Sequence, residues 1–170
     1  PKGAICVNAP YPWLGAAWRD FKRSYASETL SHAYLISGPP GRGKQEFSEI
    51  LAATILCEAI KPVARPCKEC RGCTLFESNS QPDLKRIGHE NGSKSIVIDQ
   101  IRDLTEFYRL KSHYLGYKIG LIHAADSMNT SAANAIMKTL EEPPPLAMMI
   151  LDSDSTGIHL SLINICRCRR

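Results

Sequence analysis

Long apolar runs are missing from this 170-residue chain. The longest are short and broken by Gly, Pro or charge, so no segment is expected to span a membrane. The first residues, with Cys6, Pro10 and Pro12, lack the charged start and unbroken apolar centre of a signal peptide. Internal repeats and low-complexity tracts are also absent. Charge of one sign is scarce: the formal net charge is only +4. That permits an acidic partner without arguing for one. The five histidines form no H-E-x-x-H pattern, no carboxylates pair for acid–base work, and no G-x-S-x-G turn offers a nucleophile. Hydrolases of those kinds are therefore excluded. Seven cysteines make an odd count, three of them in one tight cluster. This favours a reducing, cytoplasmic setting with a metal site over a disulfide framework.

What remains is one domain's worth of alternating strands and helices. A helix is expected through Trp18, Phe21 and Tyr25, and a buried strand at Ala33–Ile36. The next helix sets Phe47, Ile50, Leu51, Thr54 and Ile55 on one face at i, i+3, i+4 spacing. Lys61–Cys73 reads as a loop or small knuckle, and Leu84–Ile87 as a weak strand. Asp99 is expected to cap a helix that buries Ile101, Leu104, Phe107 and Tyr108. A strand at Lys118–Ala125 precedes a helix opened by Thr130 or Ser131, with Ala133, Ile136, Met137 and Leu140 inward. Pro143-Pro144-Pro145 stops it, and Ala147–Leu151 is the last expected strand. This order implies α/β architecture: a parallel sheet covered by helices on both faces.

Gly38-Pro39-Pro40-Gly41-Arg42-Gly43-Lys44 has G-x-x-x-x-G-K spacing between a strand and a helix. Gly38, Gly41 and Gly43 let backbone N–H groups turn around phosphate oxygens, the helix adds the positive end of its dipole, and Lys44 reaches the outer phosphates. A hydrolysing loop continues with Ser or Thr to hold Mg²⁺ and takes an acidic residue from the end of a later strand. Here Gln45 follows Lys44, and the acidic positions hold His123 and Ala124. Asp126 lies further on, where it suits the cap of a turn. Loss of hydrolysis is the expectation.

Cys67-x2-Cys70-x2-Cys73 offers three thiolates, with Pro66 and Gly72 helping the chain fold back. Tetrahedral Zn²⁺ needs a fourth ligand. Cys57 is the nearest candidate and His89 its competitor. Such a run can also hold iron–sulfur; zinc is preferred because the segment is short, charged and expected to be exposed. A site filled by four protein ligands is structural.

His32-Ala33-Tyr34-Leu35, the Gly38–Lys44 loop, the four cysteines and Ala135-Ile136-Met137-Lys138-Thr139-Leu140-Glu141-Glu142-Pro143-Pro144 together resemble the bacterial DNA polymerase III clamp loader, an AAA+ family. The Tyr11-Pro12-Trp13-Leu14 opening, Gln45 and the missing acidic pair resemble its delta-prime type rather than its ATP-hydrolysing type. The resemblance covers nearly the whole chain. It implies an AAA+ P-loop fold over 1–170 with a zinc module inserted at about 57–76, and lid and collar domains outside this chain. It implies a subunit of a DNA-directed DNA polymerase holoenzyme. Its partners would be delta and gamma/tau, with the sliding clamp and primed DNA reached through the assembly. It also implies that Arg167, in Cys166-Arg167-Cys168, reaches a neighbour's ATP as an arginine finger; Cys166 departs from the family's Ser. Met149-Ile150-Leu151-Asp152-Ser153 departs from the family's polar sensor residue. Two other readings stay open: an active ATPase using Gln45 and Asp126, and a zinc-based nucleic-acid binder using Lys68, Arg71, Lys85 and Arg86.

Overall fold

The computed structural model describes residues 11–59, 66–89, 94–113 and 116–155, and the backbone of 164–167. Five strands form one sheet in the order β2-β3-β4-β1-β5: β1 (Ala33–Ser37), β2 (Leu84–Ile87), β3 (Lys118–Ile122), β4 (Ala147–Ser153) and β5 (Asn164–Arg167). Every pairing is parallel. Strands β1, β3 and β4 are buried along their whole length. That is why they read as near-continuous apolar runs rather than alternating ones.

Alternation nevertheless assigns the two faces. Tyr34, Ile36, Met148 and Ile150 pack with α1 (Gly15–Ala26) and α2 (Lys44–Ile55), through Trp18, Phe21, Phe47 and Leu51. Leu35, Met149 and Leu151 pack on the other face with Ile101 and Leu104 of α4 (Ile98–Arg109) and Ile136 and Leu140 of α5 (Thr130–Glu141). A short α3 (Arg71–Glu77) lies between α2 and β2 in sequence. Among the described residues, no helix is long and apolar enough to cross a membrane.

Several local expectations need correction. Asp99 is not the cap of α4: it lies in the first turn, 2.9 Å from Arg102. The cap is made instead by Gln100, whose side chain accepts from the Val97 N–H at 3.1 Å and donates to the Gly88 carbonyl at 3.0 Å. Phe107 on that helix is only partly buried. Helix α5 is opened by Asn129, whose side-chain oxygen accepts from the Ala132 N–H at 2.8 Å. It buries Ala132 rather than Ala133, and Met137 is only partly buried. The α5 slips are of one residue and the α4 cap lies two residues before Asp99, within the precision at which helix ends and short amphipathic windows resolve. Strand β3 stops at Ile122, short of the expected Ala125, because the chain turns into a 3₁₀ turn at Ala125–Ser127. Strand β4 runs two residues further than expected, to Ser153, and β5 follows where no strand was expected.

The topology sets where the carboxyl ends of the strands open a crevice. From β1 the chain crosses to the β2 edge, returns through β3 and β4, then passes over β1 to β5. The crevice outside the carboxyl end of β1 thus opens beside the end of β4, with the end of β3 next to it.

Candidate functional site

At that crevice Ser37 leads directly into the Gly38–Lys44 loop, and α2 begins at Lys44. Gly43 is the N-cap in the left-handed region, with φ of 73°. A side chain there would be doubly excluded, because a Cβ would also lie 1.9 Å from the Tyr11 ring. Tyr11 stacks on Trp13 at 4.8 Å, and Trp13 donates its indole N–H to the Arg42 carbonyl at 3.1 Å. The aromatic Tyr11–Trp13 segment is therefore packed onto the Gly38–Lys44 loop. The loop, Tyr11, His89, His123, Asp152 and Asp154 line a cleft of about 610 Å³.

Lys44, His123, Asp152 and Asp154, which line this cleft, are paired within the chain. The Lys44 ammonium donates to the Pro39 carbonyl at 2.7 Å and lies 2.6 Å from Asp154. A second network crosses the strand ends. His123 Nδ1 lies 2.6 Å from Asp152, and its Nε2 lies 3.4 Å from Glu49. Arg86 meets both oxygens of Glu49 at 2.8 and 2.9 Å. Asp152 also accepts from the Ser48 hydroxyl at 3.3 Å and from the Ala124 N–H at 3.0 Å. Ala124 reaches it from the left-handed conformation, with φ of 54°, rare for a residue with a Cβ and common at functional sites.

Burial alone would push the His123 imidazole down. The hydrogen bonds and charges of Asp152 and Glu49 outweigh it and hold the imidazole up at about 9. Burial conversely raises Glu49, but hydrogen bonds from His123 and Arg86 prevail and keep it below the ordinary carboxylate value. His123 is thus an imidazolium between two carboxylates at neutral pH. Glu49 and Asp154 escaped sequence reading, and Asp152 was noted only within the strand that departs from the family's sensor; its one signal was a charge ending the apolar run of β4. Asp126, considered as a metal ligand, accepts from the Asp154 N–H at 3.1 Å instead.

The second site lies at the far end of α2. Cys57, Cys67, Cys70 and Cys73 bring their sulfurs within 4.8 Å of one another. Two of these separations are 4.0 Å, between Cys67 and Cys73, and 3.9 Å, between Cys70 and Cys57. Four thiolates at about 2.3 Å from one tetrahedral ion sit about 3.8 Å apart. The donor set therefore fits a single ion such as zinc; thiolates around a multi-iron cluster stand wider. His89 is not part of it and instead contacts the Ser127 hydroxyl at 2.8 Å. Backbone N–H groups point at sulfur throughout: Cys67 to Cys57, Cys70 to Cys67, Glu58 and Cys73 to Cys70. Such donors favour thiolates, and those of Glu69 and Cys70 lower the Cys67 thiol to about 6. Burial pushes the Cys57 and Cys73 thiols up. These two are buried, against the expectation of an exposed segment. Gly72 makes this closure feasible, since a Cβ there would meet the Leu56 carbonyl at 2.4 Å. Cys70 also caps α3, accepting from the Cys73 N–H.

Residue 167 falls opposite Ser37 in the β1–β5 register, at the carboxyl edge of the sheet beside the loop. Its side chain and Cys168 lie outside the described residues. Of the basic residues considered for nucleic acid, Arg86 is committed to Glu49 and stacks on Phe76 at 4.9 Å, and Lys85 lies 3.8 Å from Asp103.

The sequence model of the family described as DNA polymerase III, delta subunit, matches residues 14–170. The chain belongs to this family. The DNA polymerase III subunit delta′ of Pseudomonas aeruginosa is 38% identical over 93% of this chain and 47% of its own length. That of Haemophilus influenzae is 33% identical over 96% of this chain and 49% of its own. The chain thus spans about half the length of these relatives. A gamma subunit-related protein of DNA polymerase III from Thermotoga maritima shares the fold with a TM-score of 0.64, at 22% identity, over 89% of this chain and 45% of its own. The DNA polymerase III delta-prime resemblance drawn from the sequence is the one these relatives return.

Proposed function

We propose that this chain is the AAA+ part of a clamp-loader subunit that does not itself hydrolyse ATP and contributes to hydrolysis from outside a neighbour's site. It takes part in loading the sliding clamp onto primed DNA during replication. The observation that carries this reading is the His123–Asp152 contact of 2.6 Å at the end of β3. The strand end that should offer an acid to Mg²⁺ offers a cation, and the nearby carboxylate is already taken. Gln45 in place of Ser or Thr removes the other protein ligand.

The family's partners, delta and gamma/tau, are the partners proposed here. Arg167 is the proposed trans finger, supported by the position of residue 167 at the carboxyl edge beside the loop. Cys57, Cys67, Cys70 and Cys73 are the proposed ligands of a structural zinc ion, which would tie the end of α2 to the start of α3. Gly38, Gly41, Gly43 and Lys44 form a phosphate-binding loop whose lysine is already engaged.

The test is Arg167→Ala in the native subunit, reconstituted with its loader partners. ATP turnover by the assembly should fall by a factor of at least about 10³ while assembly itself is kept. Unchanged turnover would remove the finger.

A further inference from the structure

Mg²⁺ is the ion that a phosphate loop of this kind ordinarily shares with its nucleotide. The residues present do not fit it. The position after Lys44 is an exposed Gln45, with no hydroxyl. Two carboxylates do stand near the cleft, Glu49 and Asp152, and from a list of residue types they could be mistaken for metal ligands. Each is saturated by protein cations and donors. Arg86 grips Glu49 with two bonds, and the Asp152 oxygens take the Ser48 hydroxyl and the Ala124 N–H. His123 bridges the two acids, 2.6 Å from one and 3.4 Å from the other.

We infer that His123 is a resident cation that takes the place of the divalent metal, so that the cleft excludes Mg²⁺ and any phosphate-bearing ligand enters it free of metal. The imidazolium satisfies the charge of both carboxylates from within the fold. A hydrated divalent ion would have to displace it, and would then lie beside a trapped positive charge. Arg86 adds a second cation to the same network. Neither nitrogen of His123 is spare, so it recognises no phosphate itself; its effect is on which form of the ligand the site accepts. The raised proton affinity of the imidazole agrees with this geometry. The inference deepens the reading of the loop as non-hydrolysing, and its test uses no turnover, so the two can fail separately.

The test is titration with Mn²⁺ alone, followed by electron paramagnetic resonance of the free ion, on protein whose cysteine site has first been loaded with zinc. Wild type should show no Mn²⁺ site. His123→Asp should gain one, and Asp152→Asn added to it should remove the gain. Circular dichroism checks that each variant is folded; if the Asp variant is not, His123→Asn is read in the same titration. A wild-type Mn²⁺ site lost in Asp152→Asn would overturn the inference. So would folded His123 variants that gain no site.

Discussion

Lys44 and Asp154 face each other at 2.6 Å across the mouth of the phosphate loop, the lysine 5% and the aspartate 56% exposed. If the loop binds phosphate as proposed, this carboxylate occupies the ammonium that a phosphate oxygen would need. A phosphate-bearing ligand must therefore compete with a group carried by the chain itself. Removing that competitor should strengthen binding. Asp154→Asn is expected to bind pyrophosphate or ADP, without divalent metal, about tenfold more tightly than wild type, or about 1.4 kcal/mol. The cost in folding stability should stay under about 1 kcal/mol, because Asp154 is half in solvent. Calorimetric titration of both proteins checks this; equal or weaker binding in the variant would remove Asp154 from the account.

The cysteine site should hold about one zinc per chain by elemental analysis, and Cys70→Ser should lose it. Chelation should lower the melting temperature by at least about 5 °C, since metal binding is linked to folding. A protein purified without zinc and indifferent to chelator would refute the four-cysteine ligand set.

Stability should depend on pH through the His123 network. The imidazole rises from about 6.5 unfolded to about 9 folded. Its contribution is full below the unfolded value and disappears as pH rises through about 9. Its upper bound is about 3 kcal/mol. Glu49 is shifted the other way, so its contribution is present above the ordinary carboxylate value and lost as pH falls through its lowered folded value. Urea denaturation between pH 6 and 10 should show stability declining with pH in wild type and a flatter profile in His123→Asn. Parallel profiles would contradict the assignment.

Much of this was legible in the sequence because it rests on short-range pattern. The Gly38–Lys44 spacing, the apolar runs of β1, β3 and β4, and the clustered cysteines are local signals, and each element formed where its pattern lay. Cys57 entered the cluster although ten residues separate it from Cys67, because α2 ends there and Gly72 admits the Leu56 carbonyl. Helix starts and phase were legible only to one or two residues, as the shifts from Asp99 to Val97 and from Ala133 to Ala132 show. The charge network was not legible at all. Glu49, Arg86 and Asp152 come from three elements and His123 from the turn after β3, and nothing in the spacing of one charge announces its partner elsewhere in the chain. The same holds for Asp154, which meets Lys44 only because β4 lies beside β1.

The central claim is that this phosphate loop is silent, and single-turnover ATP hydrolysis by the purified, zinc-loaded protein with excess Mg²⁺ tests it most directly. The account predicts product formation no faster than in Lys44→Ala. Clear Mg²⁺-dependent hydrolysis in wild type, abolished by Lys44→Ala, would contradict it.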